Sequence, residues 1–210
     1  MALLRQLAVL AAIISLPAGV TLAQTTAKSA GPVRFVLAPD GNEARYRVRE
    51  QLLNIDFPSD AVGRTKALTG RIAFAPDWSI LTDSSSFSVD LTTIASDRPN
   101  RDNYVRRNSL QTDQFPTAVL VPTALKGLAG PLPAKAQITF QLLGDFTVHG
   151  VTRATTWDVT AELTPTGIAG TATTSFTFTD FGIPVPRVRM VLSVRDTIRV
   201  EYDFRLVRGG

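Results

Sequence analysis

The sequence contains no cysteine and a single histidine, His149. Without thiols the chain has no disulfide, no thiolate metal site, no cysteine nucleophile and no cysteine for lipid attachment. Zinc sites need clustered imidazole, thiolate or carboxylate ligands, so we expect neither a bound metal nor a cofactor. A chain without disulfides must also be stabilised by burial of apolar side chains alone.

Motifs of the common enzyme classes are missing too. The sequence has no Gly-x-Ser-x-Gly elbow for a serine that would work with His149, and no glycine-rich phosphate loop. Its carboxylates are scattered rather than paired. We therefore expect a protein that is not an enzyme.

The charge balance is mildly basic, with 22 Lys and Arg against 18 Asp and Glu. The basic residues do not form a patch, because acids separate them, as in Arg199, Glu201, Asp203 and Arg205. This pattern argues against a nucleic-acid partner and favours a solvated face with weak attraction for anionic lipid. Transient contact with a membrane surface or a membrane redox protein is the corresponding expectation.

Residues 1–23 have the organisation of a removable signal peptide. A basic start, MALLR, precedes the apolar stretch QLAVLAAIISLPAGV, and small residues precede cleavage after Ala23. An uncleaved membrane anchor is the alternative, but Pro17 and Gly19 interrupt an already short run. We expect a periplasmic or secreted protein in which residues 24–32 form a flexible N-terminal segment.

After Val33 the dominant pattern is alternation of apolar and polar residues, which is typical of strands. Gly and Pro mark the connections, and no long helical pattern separates the strands. Eight or nine strands are predicted, at Ala44–Val48, Leu53–Phe57, Leu68–Phe74, Phe87–Leu91, Ala118–Leu120, Ala136–Leu142, Val151–Leu163, Ile168–Phe178 and Thr197–Leu206.

An antiparallel sheet of this length closes into a barrel or folds into a sandwich. A membrane barrel would share the alternation but should carry aromatic girdles, and aromatic residues make up only 8% of the chain. We therefore predict a soluble all-β domain. The polar segment 97–110 does not fit a strand and is predicted to be a short helical or irregular insertion.

Two features carry the few candidate polar contacts. His149 and Gly150 lie between two alternating strands, which indicates a tight hairpin turn with a structural histidine rather than a catalytic one. The insertion supplies candidates for binding a polar or anionic head group, unless it forms a salt-bridged surface loop; these are Arg98, Arg101, Asp102, Tyr104 and Arg106.

Four segments occur in an order and at a spacing that resemble a known family. They are SDRPNRDNYVRRNSLQTDQFPTA, GDFTVHGVTRATTWDV, the DFGI at Asp180–Ile183, and VRDTIRVEYDF. Together they are similar to the YceI-like family of exported bacterial polyisoprenoid-binding proteins. The resemblance covers roughly residues 33–207, which we take as the domain.

The resemblance implies a single antiparallel, lipocalin-like β-barrel of about eight strands with a long apolar pore. It also implies a role in binding, transporting or storing an isoprenoid lipid, such as a polyprenyl compound or an isoprenoid quinone, and a homodimer. Two histidines common in the family are missing. Tyr104 stands where one would follow the pair Arg101-Asp102, and Gly41-Asn42-Glu43 occupies the position of the other.

The pore candidates are the apolar side chains at every second position of the predicted strands, which share one face of the sheet. They are Phe74, Phe87, Val89, Leu91, Leu120, Ile138, Phe140, Leu142, Trp157, Val159, Phe176, Phe178, Val200 and Tyr202. The same residues would fill an ordinary core. Two alternatives therefore stay open: a filled barrel that acts as an envelope stress or interaction protein, and an enzyme on a lipid-like substrate.

Overall fold

The computed structural model describes residues 31–53, 55–128, 133 and 135–209. The predicted signal peptide and residues 24–30 lie outside this part of the chain. Ten strands form one antiparallel sheet. They are β1 (Val33–Leu37), β2 (Glu43–Leu52), β3 (Ser59–Thr65), β4 (Leu68–Phe74), β5 (Ser86–Asp90), β6 (Thr117–Lys126), β7 (Ala136–Val148), β8 (Val151–Thr164), β9 (Gly167–Phe176) and β10 (Val191–Arg208).

The sheet closes on itself through β1, which pairs with β4 on one side and with the end of β10 on the other. Eight strands, β1 and β4 to β10, thereby form a closed barrel. The remaining strands lengthen one wall, because β2 pairs with β10 beyond the point where β1 ends, and β3 pairs with β2. The prediction of an all-β, lipocalin-like antiparallel barrel is confirmed, and closure excludes the sandwich.

The connection between β7 and β8 shows how the local sequence sets the register. Val148 and Val151 form the last pair before the turn. His149 and Gly150 both have positive φ, 52° and 72°, as a two-residue type I′ hairpin requires. The predicted tight turn at this position is confirmed, and it fixes the pairing of two long strands.

The insertion between β5 and β6 contains the one α-helix among the described residues, α1 (Pro99–Tyr104). Pro99 starts it at a position where its missing N–H is not needed, and a π-helical turn, Val105–Ser109, continues it. Short 3₁₀ turns lie at Thr82–Ser84, Leu91–Thr93 and Thr179–Phe181. The predicted helical insertion at 97–110 is confirmed. None of the helices described here is long and apolar enough to cross a membrane.

One predicted strand is wrong. Leu53 and residues 55–57 lie in the connection that follows β2, and Leu53, Ile55 and Phe57 are exposed rather than paired in the sheet. Their alternation resembles that of a strand, but in the described part of the chain no second strand covers their apolar side chains. Strands β1 and β3 were not predicted. Strand β10 begins at Val191, six residues earlier than expected, and its register with β2 is irregular between Val194 and Ile198.

The interior differs between the two ends of the barrel. Around the end formed by β1 and the last residues of β10, large side chains such as Phe35, Phe74 and Leu206 pack into the core. The rings of Phe35 and Phe74 meet edge to face with centroids 6.3 Å apart. The other end, where β2, β7 and β9 finish and α1 lies, is hollow.

Candidate functional site

The hollow end contains a cavity of about 820 Å³, walled mostly by apolar side chains. Its floor can be located along β10, where Ile198, Val200 and Tyr202 line the cavity whereas Phe204 and Leu206 belong to the packed core. From this level the cavity extends to an opening beside α1. Ligand sites for small molecules have this size and this predominance of apolar lining.

Most of the predicted pore residues lie around this cavity. Nine of them line it: Phe87, Val89, Leu91, Leu120, Trp157, Phe176, Phe178, Val200 and Tyr202. The structure brings them together because inward-facing positions of neighbouring strands meet in the lumen. Whether they contact a ligand stays a prediction.

The structure places the other five candidates outside the cavity, in or against the packed core; they are Phe74, Ile138, Phe140, Leu142 and Val159. Their side chains face inward like those of the lining residues, but they lie nearer the filled end of the barrel. Leu142, for instance, precedes the cavity-lining Phe146 by four positions on β7.

Small residues on the β2–β3 wall explain why the lumen stays open. Ala44 and Ala61 line the cavity and add little volume. Tyr46 on β2 is paired directly opposite Gly63 on β3. A Cβ at Gly63 would overlap the Tyr46 ring. Because Gly63 has no side chain, the ring lies close against the wall instead of projecting into the lumen.

Polar contacts tie the mouth of the cavity together. Arg101 of α1 donates from Nη2 to Oε1 of Glu50 on β2 at 2.7 Å, and both side chains are largely buried, with 15% and 9% exposed. Three residues further along the helix, the hydroxyl of Tyr104 accepts a hydrogen bond from the N–H of Arg187 at 3.3 Å. The mouth is therefore framed by α1, the end of β2 and the chain just before β10.

Burial of these groups changes their titration. Desolvation raises the pKa of Tyr46 to about 12, against an opposing effect of the Arg101 charge. Desolvation alone raises the pKa of Tyr202 on the cavity floor. An ordinary tyrosine is already uncharged at neutral pH, and burial moves both phenols further from ionisation. Burial lowers the pKa of Arg101, but attraction and hydrogen bonds from Glu50 and Asp97 outweigh it, so the net shift is upward and the guanidinium stays charged.

The predicted head-group residues divide into two sets. Arg98, Arg101 and Tyr104 line the cavity at its mouth. Asp102 and Arg106 do not line it and hold the insertion together instead. The Asp102 carboxylate accepts from the N–H and hydroxyl of Ser96 at 2.8 and 2.6 Å, and Arg106 donates to the carbonyl of Ile94 at 2.8 Å.

Sequence reasoning missed Glu50 and the apolar side of the mouth. Glu50 lies on the same inward face of β2 as Ala44, Tyr46 and Val48. A charged residue at an inward-facing position could have indicated a polar group at the cavity. The apolar side consists of Pro186, Val188 and Met190 in the chain before β10. These residues alternate with Arg187 and Arg189, a pattern that the sequence reasoning did not use.

His149 lies away from the cavity. Its ring packs edge to face on Phe115 with centroids 4.9 Å apart, and Nδ1 lies 3.4 Å from the carbonyl oxygen of Phe181. It does not line the cavity. Among the described residues there is also no group of His, Cys, Asp and Glu side chains that would hold a metal ion.

The closed barrel and its apolar internal cavity define a lipocalin-like barrel protein. Residues 35–206 match the sequence model of the YceI-like domain. The chain therefore belongs to the YceI-like family, as the motifs predicted. No curated protein matches it significantly.

Solved structures share the fold at low sequence identity. A polyisoprenoid-binding domain from Saccharophagus degradans, implicated in plant cell wall breakdown, is 11% identical, with a TM-score of 0.62 over 83% of this chain and 98% of its own. BcnA of Burkholderia cenocepacia is 13% identical, with a TM-score of 0.57 over 78% and 95%. A YceI protein of Campylobacter jejuni is 14% identical, with a TM-score of 0.56 over 76% and 91%.

Proposed function

We propose that the protein binds an isoprenoid lipid, a polyprenyl compound or an isoprenoid quinone, with its tail in the barrel cavity and its head at the mouth. The observation that carries the proposal is the apolar cavity of about 820 Å³, which is open beside α1. The similar structure from Saccharophagus degradans is described as a polyisoprenoid-binding domain. Membership of the same family supports the same class of ligand here.

The driving force is transfer of the tail out of water. Each buried CH₂ group gains about 0.8 kcal/mol, so a five-carbon isoprene unit gains on the order of several kcal/mol. The lining side chains Phe87, Leu120 and Trp157 offer only hydrocarbon or aromatic surface to such a tail. A filled core would offer no such space, and for this reason we favour a binding protein over a barrel that acts only through its surface.

The polar end of the ligand would lie at the mouth. Tyr46 lines the cavity below the mouth, opposite Val200 of β10, and its phenol is a neutral hydrogen-bond donor, as tyrosine is at neutral pH. Arg101 stays charged next to Glu50 and also lines the cavity. Donors of this kind suit a head group with carbonyl or hydroxyl oxygens, as quinones and polyprenols have.

Binding without catalysis is part of the proposal. The single histidine is held at a hairpin away from the cavity. With a signal-type N-terminus, the protein would act in the periplasm or outside the cell as a carrier or store. Its physical role there is to shield an apolar tail from water.

Fluorescence of Trp157, which lines the cavity, provides the test. The chain has two tryptophans, and a Trp78→Phe background makes Trp157 the only reporter. A short-chain ubiquinone should quench it saturably. Ala61→Phe adds a ring inside the cavity and should weaken binding about ten-fold or more, which corresponds to about 1.4 kcal/mol.

Ala154→Phe is the matched control, because Ala154 is exposed on the outer face of β8. It should bind the quinone like the parent. If quenching is not saturable, or if Ala61→Phe and Ala154→Phe bind equally well, the cavity is not the binding site.

A further inference from the structure

The surface around the mouth carries an unusual concentration of exposed apolar side chains. Seven of the eight large apolar residues exposed in the described part of the chain lie in two segments. Leu53, Ile55 and Phe57 lie between β2 and β3; Val185, Val188, Met190 and Leu192 lie before and at the start of β10. We call these seven residues the apolar rim. The exposed fraction reaches 79% at Phe57 and 61% at Leu192.

The two segments are neighbours. The N–H of Leu53 donates to the carbonyl of Met190 at 2.9 Å, and Leu52 pairs with Val191 in the sheet. The apolar rim is therefore one patch rather than scattered residues. Single exposed apolar side chains are ordinary on a protein, whereas a contiguous patch marks an interaction site.

The patch is also continuous with the cavity. Val188 and Met190 are exposed to solvent and at the same time line the cavity at its mouth. An apolar molecule could thus pass from whatever covers the rim into the barrel without crossing a polar barrier on this side. The polar pair of the mouth, Glu50 and Arg101, lies close by, because Glu50 pairs with Val194 of β10 two positions before the Leu52–Val191 pair.

Basic side chains surround the apolar rim. Arg187 and Arg189 alternate with its residues, and Arg195 follows a short way along β10. All three are exposed and form no ion pair with any described residue. The acidic groups nearby are Asp56, at the tip between β2 and β3, and Asp196, which accepts a hydrogen bond from the N–H of Phe178. At the mouth itself, Glu50 and Asp97 are both paired with Arg101.

We infer that the apolar rim docks onto the surface of an anionic lipid bilayer, with its apolar side chains among the acyl chains and Arg187, Arg189 and Arg195 against phosphate groups. Exposed apolar residues flanked by arginines are the combination that interfacial membrane binding uses. A second copy of this chain fits less well, because a symmetric contact would bring the same arginines together. The inference goes beyond the proposed function, since docking does not require a bound ligand.

Sedimentation with vesicles tests the inference directly. The full chain would be mixed with phosphatidylcholine vesicles, with or without about 30% phosphatidylglycerol, at low salt and at about 1 M salt. We expect strong binding to the anionic vesicles and about ten-fold weaker binding at high salt or without the anionic lipid. Every variant carries the same N-terminal residues, so differences between variants report on the rim.

Two double variants separate the two parts of the contact. Arg187→Gln with Arg189→Gln should reduce binding to anionic vesicles about ten-fold and leave binding to neutral vesicles nearly unchanged. Phe57→Ser with Leu192→Ser should reduce binding to both kinds of vesicle. Because all four side chains are exposed, these variants should keep the melting temperature of the parent.

Matched controls lie at the far end of the barrel. Arg34→Gln with Arg208→Gln removes two exposed arginines there, and Val36→Ser removes the eighth exposed apolar residue. These variants should bind vesicles like the parent. The inference would be overturned if the parent did not bind vesicles, or if rim and control variants lost binding equally. It would also be overturned if the rim variants lost only a concentration-dependent dimer. Quinone binding measured in vesicle-free solution reports separately on the proposed function.

Discussion

Nδ1 of His149 lies 3.4 Å from the carbonyl oxygen of Phe181 and, in the tautomer that carries its proton on Nδ1, donates to it. The same imidazole packs on the ring of Phe115. Three motifs that are far apart in the sequence, Asp113–Ala118, the His149-Gly150 turn and Asp180–Ile183, therefore meet at one corner of the barrel. This contact explains why a turn that asparagine or glycine would suit carries a histidine.

We predict that His149→Ala lowers stability without affecting ligand binding. The variant loses the ring contact with Phe115, which is worth about 1 kcal/mol, and the hydrogen bond to Phe181, while the cavity walls are unchanged. Urea unfolding gives the loss, and titration with a short-chain ubiquinone gives the affinity. A folded variant that no longer binds the quinone would show that His149 has a direct role.

Gly63→Ala should damage the site by displacing Tyr46. A methyl group at Gly63 would overlap the Tyr46 ring, which must then move toward the lumen. We expect a loss of about 1–3 kcal/mol in the free energy of unfolding, as overpacking usually costs, together with weaker quinone binding. Gly31→Ala is the control because a methyl group there meets nothing within 4 Å. An unchanged affinity in the Gly63 variant would mean that Tyr46 does not border the ligand.

Arg101→Met should destabilise the mouth of the barrel. It leaves the largely buried Glu50 carboxylate without its partner at 2.7 Å, at a cost of about 1–3 kcal/mol. Adding Glu50→Gln should recover part of this loss. Arg98→Met, on a side chain that is half exposed, should change stability by less than about 0.5 kcal/mol. Equal effects of the two arginine variants would contradict the assigned role of the Glu50–Arg101 pair.

Acid should weaken the fold partly through carboxylates on the outer face of β10. Arg45 donates to Asp203 at 2.6 Å and lowers the pKa of that carboxyl. Burial acts to raise the pKa of Glu201, but hydrogen bonds from Arg47 and Arg45 outweigh it and lower it from 4.5. A carboxyl whose pKa is lowered by folding stabilises the fold above its ordinary pKa, and this stabilisation is lost as the pH falls through the folded value.

The free energy of unfolding should therefore fall below about pH 4.5, the ordinary range of carboxyl groups. Glu201→Gln should make this fall shallower, with a difference of about 1 kcal/mol or less because the group is near the surface. Glu162→Gln, on an exposed carboxylate of β8, is the control. If urea unfolding gave identical pH profiles for the parent and Glu201→Gln, Glu201 would make no contribution to the acid sensitivity of the fold.

Alternation in the sequence predicted the barrel well because inward and outward positions of a strand differ strongly in polarity. Strands β7 and β8, the hairpin at His149 and the insertion at 97–110 were all predicted. The same reasoning failed at Leu53–Phe57, where apolar residues alternate on an exposed surface. Alternation reports that a side chain is apolar and not what covers it.

The alternation of inward and outward positions could not distinguish residues at the hollow end of the barrel from residues at the packed end. Phe87 and Phe140 both face inward, yet the first lines the cavity and the second packs against the core. The difference depends on how far along the barrel each strand position lies, and on small residues such as Gly63 and Ala61 on the facing wall. Pairing between β2 and β3 determines that wall, and β3 was not predicted from the sequence.

The central claim is that the cavity holds an isoprenoid lipid, and mass spectrometry of an organic extract tests it most directly. The protein would be purified without detergent from its native cells, alongside the Ala61→Phe variant. We predict a polyprenyl compound in stoichiometric amount in the parent and far less in the variant. An empty parent extract, repeated after incubation with quinones and polyprenols, would contradict the claim.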